Sequence, residues 1–198
     1  MRNIKTHNLE PVYLTAESAL SEATTNTLID LVNEKGKLSV WKENPSCLEY
    51  QIANPFSKYV TDKSPEISSV LPDLFAFGES CMRHMNRFFQ NTACDIITGH
   101  HGFWVLRYDL GGEFTQHCDW DSGPNGIRPP IVATACVLLN DDFKGGETLL
   151  FKSNDTQTII PREKQSVLMW DGFTQHTVAP ITEGHRYALV VHYTGTIK

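Results

Sequence analysis

Four side chains in this 198-residue sequence could do chemistry together: His117, Asp119, His176 and Arg186. His117 and Asp119 stand two positions apart, and in a strand such residues project to the same face, so both could reach one metal ion while Cys118 turns away. The third ligand must come from a distant part of the chain, and His176 is the candidate. Two histidines and one carboxylate on one face of an ion form the facial triad of non-haem Fe(II) sites. Its opposite face stays open for a chelating co-substrate and O2. The ordinary alternative is a set of polar residues at a barrel mouth, because a His-x-Asp triplet arises easily by chance in a chain with eight histidines.

The context of the triplet separates the two. Tyr108, Gly111, Phe114, His117 and Asp119, then Gly145-Gly146-Glu147-Thr148, then His176, Pro180, Gly184 and Arg186 together resemble the catalytic core of the 2-oxoglutarate/Fe(II)-dependent dioxygenases. The similarity is greatest to the prolyl 4-hydroxylase-like branch, covers about residues 100 to 195, and leaves the first half of the chain unmatched. The resemblance implies Fe(II), 2-oxoglutarate and O2, with ascorbate as a reductant, and hydroxylation of an unactivated C–H with release of succinate and CO2. It assigns His117, Asp119 and His176 to the metal, and Arg186 to the distal carboxylate of 2-oxoglutarate. A buried dicarboxylate needs a paired cation, and a planar guanidinium offers a bidentate fork.

On a strand, Arg186, Ala188, Val190 and His192 share one face, and small Ala188 leaves room beside the guanidinium. Some family members carry serine at the Ala188 position to support the same carboxylate. By resemblance Tyr108 and Thr148 take that part here. The related branch often has lysine where Arg186 stands, which counts against a collagen-like proline as substrate. Trp120, beside Asp119, and Trp170, before the Asp171-Gly172 turn, are candidates for the substrate entrance, against the ordinary role of buried barrel aromatics. His100, His101, His185 and His192 have no such partners in sequence and are expected to be hydrogen-bonded or exposed.

The elements that must position these groups fall into two halves. Residues 1–93 are expected to be helical and irregular support, and residues 94–198 a jelly-roll catalytic core, within one domain of 1–198. The spacing predicts an N-terminal strand around Val12 to Leu14, then a helix capped by Thr15 and stopped by Gly36, with the polar Thr24–Thr27 run as a possible break. Residues 37–63 carry Asn44-Pro45 and Asn54-Pro55 turn signals and predict irregular structure with one strand. Ser64-Pro65-Glu66 starts a helix, Pro72-Asp73 restarts it, and Leu74, Phe77, Cys81, Met85 and Phe88 form an apolar stripe that covers a sheet, with Arg83 and His84 solvated.

From Cys94 the period changes to two, and about eight short strands follow, with Gly111-Gly112 as a hairpin turn between two of them. Asp119 to Pro130 predicts a polar loop at the mouth of the site. Helices followed by such strands suit a mainly β double-stranded β-helix, the jelly-roll variety of barrel, buttressed by helices.

A net charge of −6 disfavours nucleic acid as partner. No apolar run suggests a signal peptide or a membrane span, so the expectation is a soluble, cytoplasmic protein. Five cysteines, odd in number and without a C-x-x-C pair, predict reduced thiols rather than disulfides or zinc. The leading expectation is a hydroxylase of a protein or peptide side chain, with prolyl first. Alternatives are a hydroxylase of a free amino acid or other small metabolite, repair of alkylated nucleic acid, and a metal-holding jelly-roll module without catalysis.

Overall fold

Helix α1 (Glu22–Lys35) starts at Ser21, whose Oγ accepts from the Thr24 N–H at 3.2 Å, and ends at Gly36, whose N–H donates to Val32 O. Sequence spacing predicts an earlier start at Thr15, but that residue closes strand β1 (Val12–Thr15). The threonine run does not break the helix either. Thr25 Oγ1 donates to Ser21 O at 3.0 Å and Thr27 Oγ1 to Ala23 O at 2.9 Å, so these hydroxyls are satisfied within the helical ladder.

The computed structural model describes residues 12–15, 19–38, 47–53, 64–89, 94–120, 131–151, 157–160 and 162–197. Residues 121–130 of the loop expected from Asp119 to Pro130, and the side chains of Phe88, Cys94, His100 and His101, lie outside what is described. Strands β2 (Lys37–Leu38) and β3 (Cys47–Ala53) precede helix α2 (Pro65–Phe89), where the Ile67 N–H reaches Ser64 Oγ at 3.4 Å. Pro72 lies inside α2 and does not restart it. The stripe Ile67, Val70, Leu74, Phe77, Cys81 and Met85 runs buried past it, and that burial outweighs the hydrogen bond a proline removes. Arg83 and His84 are exposed, as their position off the stripe predicts.

Ten strands follow among the described residues: β4 (Cys94–Tyr108), β5 (Phe114–His117), β6 (Ile131–Leu138), β7 (Lys144–Gly145), β8 (Thr148–Phe151), β9 (Gln157–Ile160), β10 (Ser166–Asp171), β11 (Gln175–Val178), β12 (Ile181–Glu183) and β13 (Arg186–Ile197). They pair as a major sheet in the order β1-β10-β6-β13-β4-β3-β2, a minor sheet β5-β11-β8-β9, and a short β12-β7 pair. Gly111-Gly112 is therefore not a hairpin turn between paired strands. It carries the chain from the major sheet to the minor one, since β4 pairs with β13 and β3 while β5 pairs with β11.

The alternation along the major sheet separates two apolar clusters. Phe103, Val105, Leu189, Val191 and Val167 pack outward with the helix residues Leu28, Ile67, Leu74 and Met85. Tyr108, Cys136, Leu138, Leu168, Trp170 and Ala188 face inward, against Leu150, Val178 and Ile181 of the shorter strands. The fold is thus mostly β with two helices on one side. Buried Gln165, with φ at +67°, ties α1 to this body by accepting from the Leu20 N–H at 2.9 Å and donating to Thr25 Oγ1 at 2.8 Å. No helix among the described residues is long and apolar enough to cross a membrane.

Candidate active site

His117 at the end of β5 and His176 in β11 are register partners, their ring centroids 4.2 Å apart. Each Nδ1 points at a backbone carbonyl, His117 at Thr115 O (2.8 Å) and His176 at Thr174 O (3.0 Å). A carbonyl oxygen only accepts, so each Nδ1 carries the proton and each Nε2 keeps its lone pair for a ligand. Asp119 stands two residues past β5 rather than within it, so strand alternation alone does not aim it. Its Oδ2 accepts from Thr134 Oγ1 at 2.6 Å and from Trp170 Nε1 at 2.9 Å, both on the inner face of the major sheet.

Those two donors leave Asp119 Oδ1 facing the histidines, 3.6 Å from His117 Nε2 and 3.7 Å from His176 Nε2. The ligand atoms of His117, Asp119 and His176 all lie within 4.8 Å of one another. Atoms bound on one face of an ion at about 2.1 Å sit about 3.0 Å apart, so the carboxylate–imidazole separations would close by roughly 0.6–0.7 Å around a shared ion. The cluster joins both sheets, its histidines coming from the minor one and the carboxylate's anchors from the major one.

Electrostatics agree with this geometry. Burial pushes the Asp119 carboxyl up, but the imidazoles of His176 and His192, the Thr134 hydroxyl and His117 outweigh it and leave the group at about 2. Burial, with His176 beside it, holds His117 below the ordinary imidazole range, and burial also lowers His192. At neutral pH the site therefore presents an ionised carboxylate and an unprotonated His117, the forms that bind metal.

Arg186 opens β13 with its side chain buried, in register with Tyr108 of β4. Its guanidinium lies over the Tyr108 ring, 5.0 Å from the centroid, and its Nη2 donates to Thr148 Oγ1 at 3.2 Å. Its Nε is buried without a hydrogen-bond partner among the described residues. Burial holds the Tyr108 phenol well above its ordinary range, so it stays a neutral donor. The adjoining pocket is lined by Arg186, Thr148, Cys136, Leu138 and Leu168 among others, none of them a carboxylate. A buried cation without its counter-charge is costly, which marks this pocket as a place for an anion.

Gly145 and Gly146, at φ +70° and +67°, make the bend that brings Thr148 here. A Cβ on Gly146 would sit 2.4 Å from Ile181 Cδ1 and 3.1 Å from Arg186 Cδ. Of the two tryptophans expected at the entrance, Trp170 is buried beneath Asp119, its ring 4.7 Å from His176. Trp120 stacks on Phe173 at 4.3 Å and packs against the helix-side cluster. Sequence spacing misses Thr134 and His192. Thr134 is a fully buried polar residue in the otherwise apolar Ile131–Leu138, a signal that it serves a partner elsewhere.

Because Thr134 and Trp170 hold the carboxylate so that one oxygen faces the histidines, removing either donor loosens it. Trp170→Phe and Thr134→Val are each expected to weaken Co(II) binding roughly ten- to a hundredfold in calorimetric titration. Affinities within twofold of wild type would mean that the backbone alone aims Asp119.

A mostly β body that gathers two histidines and an aspartate at one point, and in a nearby pocket buries an arginine with no carboxylate partner among the described residues, has the parts of a metal-dependent oxygenase core. Residues 103–194, just under half of the chain, match the family model described as the 2OG-Fe(II) oxygenase superfamily. A PKHD-type hydroxylase of Gloeothece citriformis is 30% identical over 91 residues, 46% of this chain and 41% of that one. A PKHD-type hydroxylase of Idiomarina loihiensis is 30% identical over 94 residues, 48% and 42% of the two chains. The match thus spans less than half the length of these curated relatives. Among solved structures, a Pseudomonas putida prolyl-4-hydroxylase superposes with a TM-score of 0.67 at 11% identity, over 94% of this chain and 92% of that one. A Trichoplax adhaerens prolyl hydroxylase, solved in complex with a hypoxia inducible factor oxygen degradation domain peptide fragment, gives 0.69 at 17% identity over 94% and 84%. The prolyl 4-hydroxylase-like similarity noted from the motifs therefore extends to the fold.

Proposed function

We propose that this protein is an Fe(II)- and 2-oxoglutarate-dependent hydroxylase acting on a side chain of a protein or peptide, with prolyl the first candidate. The observation that carries it is buried Arg186, in a pocket with no carboxylate among its described lining residues, in the same molecule as the three-ligand cluster. A metal cluster alone would suit many proteins; a buried cation calls for an anionic co-substrate as well. His117, Asp119 and His176 would hold the iron. Arg186, Tyr108 and Thr148 would hold the distal carboxylate of 2-oxoglutarate. When bound, iron and 2-oxoglutarate supply the oxidation of an unreactive C–H by O2, with succinate and CO2 released, and ascorbate serves as reductant.

The chain's own residues prepare that chemistry. Thr115 and Thr174 carbonyls fix the imidazole tautomers, and Thr134 and Trp170 fix the carboxylate. The two facing sheets support a double-stranded β-helix within one domain, and a cytoplasmic location fits the composition. The test is succinate release against a peptide library and a metabolite panel, with Fe(II) and 2-oxoglutarate supplied. Succinate formed in step with a peptide hydroxylation is the expected result. Stimulation by a free amino acid and by no peptide would replace this reading with that of a metabolite hydroxylase.

A further inference from the structure

One histidine near the metal cluster is left out of it. Along β13, Tyr187, Leu189, Val191 and Tyr193 pack on the helix-side cluster while Ala188 and Val190 face the inter-sheet cluster, so His192 shares the interior face with Arg186. Its Nε2 lies 3.9 Å from Asp119 Oδ1, too far for a hydrogen bond, and it is not among the three donors gathered within 4.8 Å. Its ring rests against Trp104 of β4, centroids 4.8 Å apart and tilted by 48°. The side chain of His192 keeps 20% exposure, between the 8% of Asp119 and the 27% of His117, so solvent reaches this flank of the site as well as the His117 side.

The next strand continues the pattern. Gln51 of β3 pairs with Trp104. Leu48, Tyr50 and Ile52 pack on the helix-side cluster and Cys47 on the inter-sheet one, so Gln51 also belongs to the interior face. His192, Trp104 and Gln51 therefore form a strip across three neighbouring strands, leading away from the metal cluster.

We infer that this strip is the substrate-binding wall, that His192 is its specificity-determining residue, and that it takes an uncharged stretch of peptide. This rests on the oxygenase reading above and names the part of the site that selects its substrate. An imidazole and a carboxamide match the N–H and C=O groups of a peptide, and the indole face takes an aliphatic side chain or ring. None of the three is a cation, so the carboxylate of a free amino acid finds no partner in the strip. The buried Arg186 lies six residues back along β13, about 20 Å of extended strand away.

The test uses protein loaded with Mn(II) and 2-oxoglutarate, kept free of O2, and presented with an array of synthetic peptides, with free amino acids as competitors. Wild type is expected to hold a subset of the peptides. His192→Ala and Trp104→Ala are each expected to lose roughly tenfold in affinity for them, the scale of one hydrogen bond or one aromatic contact. His192→Gln should recover part of the loss, and Mn(II) and 2-oxoglutarate affinities should change less than threefold in every variant. No peptide held by wild type, undiminished peptide affinity in both alanine variants, or displacement of the peptides by a free amino acid would each overturn the inference. So would a tenfold loss of Mn(II) affinity in His192→Ala, which would make His192 a metal ligand. Capture that depends on His192, in a protein taking up neither Mn(II) nor 2-oxoglutarate, would sink the oxygenase reading and leave the wall standing.

Discussion

Anaerobic titration with Fe(II) is expected to show one ion per chain, and His117→Ala, Asp119→Ala and His176→Ala to abolish turnover, each lowering metal affinity by at least roughly a hundredfold. That floor is the upper end of what losing a supporting group costs, and here a ligand itself is lost. The three donors differ in what their removal leaves behind. Without the His117 or His176 side chain the other two ligands stay anchored by their own hydrogen bonds, so the remaining pair can hold an ion weakly. Without Asp119, the buried Thr134 hydroxyl and Trp170 N–H lose their acceptor as well, so this variant should also unfold at a lower temperature. Co(II), Mn(II) or Zn(II) can replace iron in the titration, because affinity at such a donor set follows the metal series. Stoichiometric metal and undiminished turnover in His176→Ala would remove that residue from the site.

The second large effect belongs to Arg186. Arg186→Ala should leave Fe(II) binding nearly intact and lower the affinity for 2-oxoglutarate by roughly two to three orders of magnitude, since breaking a buried ion pair costs about 3–5 kcal/mol. The structure supplies the reason for expecting the upper part of that range: the guanidinium is buried, its Nε has no hydrogen-bond partner among the described residues, and no carboxylate lines its pocket. Arg186→Lys should recover part of the loss, because the charge returns without the planar fork and without the stacking over Tyr108. Titration of 2-oxoglutarate into Fe(II)-loaded wild type and both variants, without O2, measures this. A change below about threefold in Arg186→Ala, under 1 kcal/mol, would move the cation role elsewhere.

The residues that meet in the candidate site were largely legible as residue types at set spacings. His117, Asp119, His176, Arg186, Tyr108 and Thr148 all come from short motifs, and the structure brings the first three together at one point and the last three at another. The switch from helical spacing to a period of two at Cys94 also marked where ten of the strands begin, because burial on one face of a helix or strand is written directly into the order of apolar residues, but it left β1, β2 and β3 of the major sheet on its other side. Boundaries set by side-chain hydrogen bonding were harder. Nothing local says that Ser21 rather than Thr15 caps α1, or that threonines 24, 25 and 27 fit inside a helix, because that depends on which carbonyls and which distant Gln165 their hydroxyls find.

Only the tertiary structure decided what surrounds the motif residues. Asp119 is aimed by Thr134 and Trp170, 15 and 51 residues away in sequence, and no period along the chain encodes such a contact. Trp170 thus stands as an anchor beneath the carboxylate rather than at an entrance, and His192, without a partner in sequence, stands beside Asp119. The Gly111-Gly112 turn passes between sheets instead of closing a hairpin, since pairing is chosen by the whole set of strands competing for neighbours. Spacing along a chain reports the face a side chain occupies; the partner across from that face is fixed by the packing of segments far apart in sequence.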